Sequence, residues 1–241
     1  MDEVSHSLDQ LAAATDRLLA TATALSDAQA REPSLLPGWS RGHVLTHIAR
    51  NADGMVNLLR WARTGTQTPM YASAESRAAD IEAGAGRPAA DLAVDVRESA
   101  AGLAVEAASM PDDAWTAQVR ALNGPPFPAL GVLERRLSEV EIHHVDVAAG
   151  YSPGDWPGDF LSEALPRVAG SFAGRDDVPP CLAWAEGAKH PFRLGPEQAS
   201  PPTVIIHGQP ADLLAWLLGR GDGARLTLVH GDALPELPPW R

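Results

Sequence analysis

The chain has 241 residues, enough for one large domain or two small ones when a domain takes about 150 residues. Its 19 lysines and arginines against 31 aspartates and glutamates give a formal net charge of −12. Because nucleic acids are bound mainly through basic side chains, this charge argues against a nucleic-acid partner. The 45% hydrophobic and 21% charged fractions are typical of a folded globular protein, not of a disordered chain.

The N-terminus and the lengths of the apolar stretches indicate where the protein resides. No apolar stretch reaches the roughly 18 residues of a membrane span, so we expect no membrane partner. Asp2 and Glu3 stand where a signal peptide would be positively charged, which predicts a cytoplasmic protein. Cys181 is the only cysteine, which excludes an internal disulfide and a Cys-rich zinc motif.

Apolar residues recur at three- and four-residue steps through the first 150 residues. This spacing predicts long helices over residues 4–25, 41–63, 89–110 and 129–149, with a short helix over 75–83 in a long connection. Ser40 is suited to cap the second long helix. Four amphipathic helices of about 20 residues, two of them joined by a long crossover, predict a four-helix bundle.

After about residue 151, proline and glycine become frequent and the periodic segments become short. We predict helices over 160–172 and 211–218 and strands over 181–186, 190–194, 203–207 and 225–229. The expected fold class is therefore mainly α with a second α+β domain. The expected division is a bundle over 1–152 and a small α+β domain over 153–241.

Four of the eight histidines fall in the second and fourth predicted helices. His43 and His47 are four residues apart and share a helix face, so the two together could hold one zinc ion. The metalloprotease motif is absent, because Val44 stands where that motif has glutamate. The alternative is structural, with one histidine packed in the bundle and the other capping the helix or facing water.

The fourth helix offers two carboxylate–imidazole pairs at helical spacing. Glu139 and His143 are four residues apart, and Glu141 and His144 are three apart. His144 continues the apolar stripe of the helix, so periodicity leaves both pairs open, and either could instead be a weak surface pair. Either pair with a histidine of the second helix would give three ligands and an open position, as in catalytic zinc sites.

Several stretches together resemble a known family: LPGWSRGHVLTHIA at 36–49, NLLRWARTG at 57–65, TPMYAS at 68–73, SEVEIHHVD at 138–146, DLLAWLLGRG at 212–221 and PPWR at 238–241. They resemble the DinB-like metal-binding four-helix bundles. More narrowly, they resemble the mycothiol-dependent maleylpyruvate isomerases. The resemblance covers both predicted domains.

This resemblance implies a zinc ion bound by His47, Glu139 and His143, with His43 and His144 outside the ligand set. It also implies that Arg220 is functionally important, as a group for binding a substrate carboxylate. The resemblance decides between the two pairs of the fourth helix, which the periodicity of the helix does not.

The reaction implied by the resemblance converts maleylpyruvate to fumarylpyruvate in gentisate degradation, with mycothiol as the thiol cofactor. A thiolate adds to the conjugated double bond, the resulting single bond rotates, and the thiol leaves again. Cys181 is predicted in a strand of the second domain, so an external thiol fits better. Trp39, Trp61 and Tyr71 could line the site, although we expect both tryptophans in the bundle core.

Two other functions compete with the isomerase. A mycothiol S-transferase would keep the same metal ligands but would not need an arginine matched to a dicarboxylate. A non-catalytic binding module would hold a structural metal with a fourth protein ligand, for which His43 and His144 are the candidates. We expect a monomer or a weak homo-oligomer that binds a small dicarboxylate and a low-molecular-weight thiol.

Overall fold

The structure is a computed structural model that describes residues 2–122, 124–197 and 204–240. The chain forms two compact units, Met1–Tyr151 and Ser152–Arg241. The first is helical and the second combines helices with a small sheet, which confirms the predicted fold class. None of the described helices is long and apolar enough to cross a membrane.

The first unit contains the four predicted long helices and the predicted short one, each within a few residues of its expected bounds. The helices are α1 (Asp2–Ala24), α2 (Asp27–Arg31), α3 (Arg41–Thr64), α4 (Ala74–Ala85), α5 (Ala89–Ala108) and α6 (Gly131–Asp146). The sequence analysis missed α2, because five residues are too few to show a periodic pattern. A capping box between Ser26 and Gln29 holds its first turn.

The four long helices form a closed ring around one apolar core. Helix α3 packs against α5 and α6, and α1 packs against the other sides of the same two helices. Fully buried aliphatic side chains from all four helices fill the centre, among them Leu18, Leu45, Leu58, Leu92 and Leu133. Helix α4 lies outside the ring and packs on α3.

Two hydrogen bonds to backbone carbonyls join the region at the start of α3 to the end of α6. The Arg41 side chain donates to the carbonyl of Ala148 at 2.9 Å, and the Leu35 N–H donates to the carbonyl of Asp146 at 3.0 Å. The predicted end of the fourth helix at residue 149 is wrong, because α6 ends at Asp146 and Ala148 has a left-handed φ of 55°. In a longer helix, these carbonyl groups would accept hydrogen bonds from N–H groups of the same helix.

A short antiparallel hairpin precedes α6 and was not predicted. Strands β1 (Gln118–Arg120) and β2 (Pro126–Pro128) pair with Val119 opposite Phe127, and both of those side chains are buried. The sequence analysis predicted no strands here, because three-residue strands with two prolines carry no clear alternating pattern. Asn123 lies outside the described residues.

The second unit contains α7 (Gly158–Gly170), β3 (Cys181–Ala185), β4 (Phe192–Leu194), β5 (Val204–Gly208), α8 (Pro210–Leu217) and β6 (Thr227–His230). The sheet order is β4-β3-β5-β6, with β3 and β5 parallel and the outer strands antiparallel to them. Helix α8 packs on α7 and on the two central strands. All the predicted elements of this unit are confirmed, apart from residue 203, which lies outside the described residues.

The close packing of α3 on α4 gives a test of the fold. A Cβ atom added at Gly42 would lie 2.2 Å from the backbone carbonyl oxygen of Ala85, whereas one added at Gly102 in α5 would meet nothing within 4 Å. We expect Gly42→Ala to lower the free energy of unfolding by about 1–3 kcal/mol through overpacking. Gly102→Ala should instead raise it by about 0.5–1 kcal/mol, because alanine favours a helix. Urea denaturation of both variants checks this, and equal effects would contradict the described packing.

Candidate metal centre

The two histidines of α3 have different surroundings. His43 forms a capping box with Ser40: the His43 N–H donates to the Ser40 hydroxyl, and the Ser40 N–H donates to His43 Nδ1 at 3.1 Å. The other ring nitrogen of His43 lies 3.2 Å from Glu82 on α4. His43 therefore has the capping role that was the structural alternative, and His47, one turn later, faces α6.

The two candidate pairs of α6 face different helices. Glu141 accepts hydrogen bonds from Arg17 of α1 and from Tyr151, each at 2.5 Å. His144 stacks on the ring of Tyr151 with 3.8 Å between centroids. Its Nε2 also lies 2.7 Å from the hydroxyl of Thr21, again on α1. Glu141 and His144 thus take part in the contact between α1 and α6.

Glu139 and His143 face α3 and meet His47 there. The Nε2 atom of His47 lies 3.0 Å from Oε2 of Glu139 and 3.1 Å from Nε2 of His143. Nε2 of His143 lies 3.4 Å from the same Glu139 oxygen. Among the described residues, this is the one group of three possible ligands close enough to share an ion. The structure therefore brings together the three residues that the resemblance implied.

These separations match what a tetrahedral metal ion requires. Bonds of about 2.0–2.1 Å to nitrogen and oxygen place neighbouring tetrahedral ligands about 3.3 Å apart. Without a metal, the two Nε2 atoms at 3.1 Å can share at most one proton, and Glu139 must satisfy both rings. Two imidazoles and one carboxylate are also a donor set that zinc accepts. The residues fit a zinc ion.

The cluster is accessible from one side. The side chain of His47 is 5% exposed and that of His143 is 16% exposed, whereas that of Glu139 is 32% exposed. A metal held by these three residues would thus keep a position that water or a ligand can reach, which is the arrangement of catalytic zinc sites.

Charge pairing holds the cluster together. Burial acts against the charged form of His143, but hydrogen bonds to Asp146 and Glu139 raise its pKa to about 9. Burial also acts on Glu139, yet its hydrogen bonds to both imidazoles hold its pKa well below the usual value. For His47, burial dominates and lowers the pKa. The Glu139 carboxyl is therefore anionic at neutral pH.

Asp146 supports His143 from behind. Its buried carboxylate lies 2.8 Å from Nδ1 of His143, which leaves Nε2 directed at the cluster. Such a carboxylate fixes the orientation and tautomer of a metal-binding histidine. The sequence analysis did not assign Asp146, although its position three residues after His143 on the same helix is the signal that could have found it.

Comparison with known proteins adds the family. The family model described as the mycothiol maleylpyruvate isomerase N-terminal domain matches residues 11–148, and the one described as the MDMPI C-terminal domain matches 155–239. A crystal structure of the mycothiol-dependent maleylpyruvate isomerase is 30% identical, with a TM-score of 0.87 over 98% of this chain and 97% of that one. This chain belongs to the mycothiol-dependent maleylpyruvate isomerase family.

A crystal structure of a mutant of that isomerase is similar to this chain to the same extent, with 29% identity and a TM-score of 0.87 over 98% of this chain and 97% of that one. No curated protein matches the chain in a sequence search. The resemblance read from the motifs is thus confirmed for the family as a whole, across both units.

The side chains of Trp39, Tyr71 and Arg77 lie around the cluster of His47, Glu139 and His143. The Trp39 ring lies 5.6 Å from that of His47 and 6.1 Å from that of His43. Both Trp39 and Trp61 are partly exposed, so the expectation that they are core residues is wrong. Arg77 of α4 donates to Nδ1 of His47 at 2.9 Å, and its guanidinium lies 5.6 Å from the centre of the Tyr71 ring.

Arg136 is a buried cation one turn before Glu139 on α6. It donates to the carbonyl of Ile48 at 2.7 Å and to the Asn51 side chain at 2.9 Å. Burial lowers its pKa to about 10, while the nearby Glu139 carboxylate acts in the opposite direction. Arg136 therefore stays charged at neutral pH. The sequence analysis missed it, because an arginine within a helix normally reaches solvent.

The remaining two predicted residues lie in the second unit. Arg220 follows α8, donates to the carbonyl of Leu218 at 2.7 Å and borders a cavity of about 300 Å³ with Ser152, Asp212 and Gly223. Cys181 is fully buried in β3, and burial raises the pKa of its thiol to about 11. A thiol in this state is inert at neutral pH.

The choice of histidine on α6 can be tested by metal content. We expect His47→Ala and His143→Ala to abolish stoichiometric zinc, because each removes a ligand. His144→Gln should keep zinc, since Gln preserves a hydrogen-bonding side chain beside Thr21 and removes no ligand. Elemental analysis of the purified variants, with circular dichroism to confirm folding, measures this. Zinc retained in His143→Ala and lost in His144→Gln would shift the ligand by one residue.

Proposed function

We propose that this protein is a zinc- and mycothiol-dependent cis–trans isomerase that converts maleylpyruvate to fumarylpyruvate in gentisate degradation. The observation that carries the proposal is the convergence of His47, Glu139 and His143, accessible on one side, in a chain of this family. We assign these three residues as the zinc ligands.

The chain's own residues prepare the site in three ways. His47 and His143 would each offer one ring nitrogen to zinc, His143 after loss of the proton that its pKa of about 9 otherwise retains, and Glu139 supplies a single negative charge. When bound, zinc favours the thiolate form of a coordinated thiol and polarises carbonyl oxygens. Asp146 keeps His143 directed at the site, and Trp39 shields the ring of His47 on one side.

The thiol must come from outside the chain. Isomerisation needs a thiolate that adds to the conjugated double bond and then leaves, so that the central bond is single while it rotates. Cys181, the only cysteine, is buried and its raised pKa keeps it protonated at neutral pH. A free low-molecular-weight thiol persists in reducing compartments, which supports a cytoplasmic location.

We further propose that Arg220 binds one of the two substrate carboxylates. A planar guanidinium pairs with a carboxylate through two parallel hydrogen bonds, and Arg220 borders a cavity of the second unit. The proposed functional division is a metal-binding domain over residues 1–152 and a substrate-recognition domain over 153–241.

A mycothiol S-transferase is the second candidate, because it would use the same three ligands and the same thiol. The non-catalytic module is disfavoured by the surroundings of its two candidate fourth ligands. His43 caps α3 and contacts Glu82, while His144 contacts Thr21 and Tyr151 of the α1–α6 contact. Both histidines are thus used elsewhere.

The proposed activity can be tested with the purified protein, zinc, mycothiol and maleylpyruvate. We expect fumarylpyruvate to form only when zinc and mycothiol are both present. Cys181→Ser should keep most of this activity, because the nucleophile is external. Turnover without mycothiol, or its loss in a folded Cys181→Ser protein, would contradict the external thiol. Conjugation of mycothiol to electrophiles without isomerisation would establish the S-transferase instead.

If Arg220 binds a substrate carboxylate, replacing it with lysine should lower kcat/KM. Arg220→Lys keeps the positive charge but loses the planar fork, so kcat/KM should fall by about tenfold or more, which corresponds to roughly 1.4 kcal/mol. Zinc content should not change. Arg167→Lys is the matched control, because Arg167 is exposed on α7 of the same unit and does not line the cavity that Arg220 borders. Equal kinetics in the two variants would refute the carboxylate contact.

A further inference from the structure

The two histidines of the cluster differ in the group that contacts their Nδ1 atom. Behind His143 is the carboxylate of Asp146, a hydrogen-bond acceptor, at 2.8 Å from Nδ1. Behind His47 is the guanidinium of Arg77, at 2.9 Å from Nδ1. A guanidinium has five N–H donors and no acceptor. In this arrangement Nδ1 of His47 must therefore accept, and the neutral ring carries its proton on Nε2.

That arrangement is incompatible with metal binding through Nε2 of His47. A neutral imidazole that gives its Nε2 lone pair to a metal carries its proton on Nδ1. The Nδ1–H would then point at the N–H groups of Arg77, and two donors cannot form a hydrogen bond. The carboxylate behind His143 presents no such conflict. Loading the site must therefore release Arg77 from His47.

Arg77 has no other charged partner to return to. Within the described parts of the chain it forms no ion pair with a carboxylate, and its side chain is half-buried beside the Tyr71 ring. The loop that carries Tyr71 is itself held against α3. Asn57 donates to the carbonyl of Met70 at 3.4 Å, and Gly54 leaves no room there for a Cβ. Arg77 itself lies on α4, which packs on α3, so its released guanidinium remains beside the site.

We propose that Arg77 is a substrate-binding residue: it leaves His47 when the metal is loaded and its guanidinium then binds a carboxylate of the substrate beside the metal. This inference rests on the proposed isomerase function and adds to it a second cation for a substrate with two carboxylates. A carboxylate is the anion that matches the planar fork of arginine.

The direct test measures substrate binding without turnover. Zinc-loaded protein is titrated with fumarylpyruvate in the absence of mycothiol, so that no reaction occurs, and the affinity is measured by calorimetry. Arg77→Ala should weaken binding by about tenfold or more, as expected for the loss of a hydrogen bond to a charged group. Arg97→Ala is the control, because it removes the same charge from an exposed position on α5. Equal affinities in these two variants would overturn the proposal.

The contact itself is tested by combining the Arg77 variant with altered ligands. Two monoesters of fumarylpyruvate each lack one carboxylate charge. If Arg77 binds a carboxylate, Arg77→Ala and esterification of that carboxylate remove the same interaction, and their effects are not additive. Additive losses with both monoesters would refute the contact. An Arg77→Ala protein that binds fumarylpyruvate normally but mycothiol more weakly would assign Arg77 to the thiol instead.

Release of Arg77 makes a separate prediction about zinc alone. Removing a residue that competes for His47 should leave zinc binding as tight as in the unmodified protein or tighter, whereas His47→Ala should lose it. Competition with a chelator measures this, and Arg77→Gln provides a second variant, because its side-chain oxygen can accept from Nδ1–H. Zinc binding weakened about tenfold in both Arg77 variants, with their helix content unchanged, would show that Arg77 supports the metal and would overturn the proposal.

These experiments separate the two levels of inference. If the unmodified zinc-loaded protein does not bind fumarylpyruvate, the proposed function fails. If it binds fumarylpyruvate and Arg77→Ala binds it equally well, only the role of Arg77 fails.

Discussion

The contact between α3 and α6 is the constraint on which this site depends, because it places a carboxylate and two imidazoles at a helix–helix seam. Charged groups removed from water are tolerated only when they are paired, and here Glu139 is paired with both rings while Asp146 pairs with His143. The geometry also needs α3 to stay in register with α6. The bonds from Arg41 and Leu35 to the end of α6 fix that register beside the cluster.

Helix α6 separates two kinds of polar contact on its two faces. Toward α1, Glu141 is saturated by Arg17 and Tyr151 in a buried arrangement that binds helices together. Toward α3, the ligand atoms converge and remain partly open. Two guanidinium groups lie near the cluster: Arg77 contacts His47 from α4, and Arg136 is buried one turn before Glu139 on α6. Although the chain has a net charge of −12, these two guanidinium groups lie close to the carboxylates of Glu139 and Asp146 in the cluster.

Periodicity predicted the long helices well, because each buries a continuous apolar stripe over about four to seven turns. It failed where the structure is short or irregular. Helix α2 and the β1–β2 hairpin are too brief to show a pattern. The end of α6 was predicted at residue 149, whereas the helix ends at Asp146 and Ala148 adopts a left-handed conformation. Trp39 was expected in the core from its hydrophobicity, whereas its ring packs against the imidazoles at the site.

The sequence by itself determined that a histidine of the second helix and a carboxylate–imidazole pair of the fourth could form a metal site, since a four-residue spacing puts two side chains on one helix face whatever surrounds them. It could not choose between Glu139–His143 and Glu141–His144, because adjacent residues of one helix differ only in which neighbour they face. The packing of α6 between α1 and α3 decides which pair faces His47. The guanidinium behind His47 was likewise decided by tertiary structure, because Arg77 lies on a different helix that only folding brings to α3.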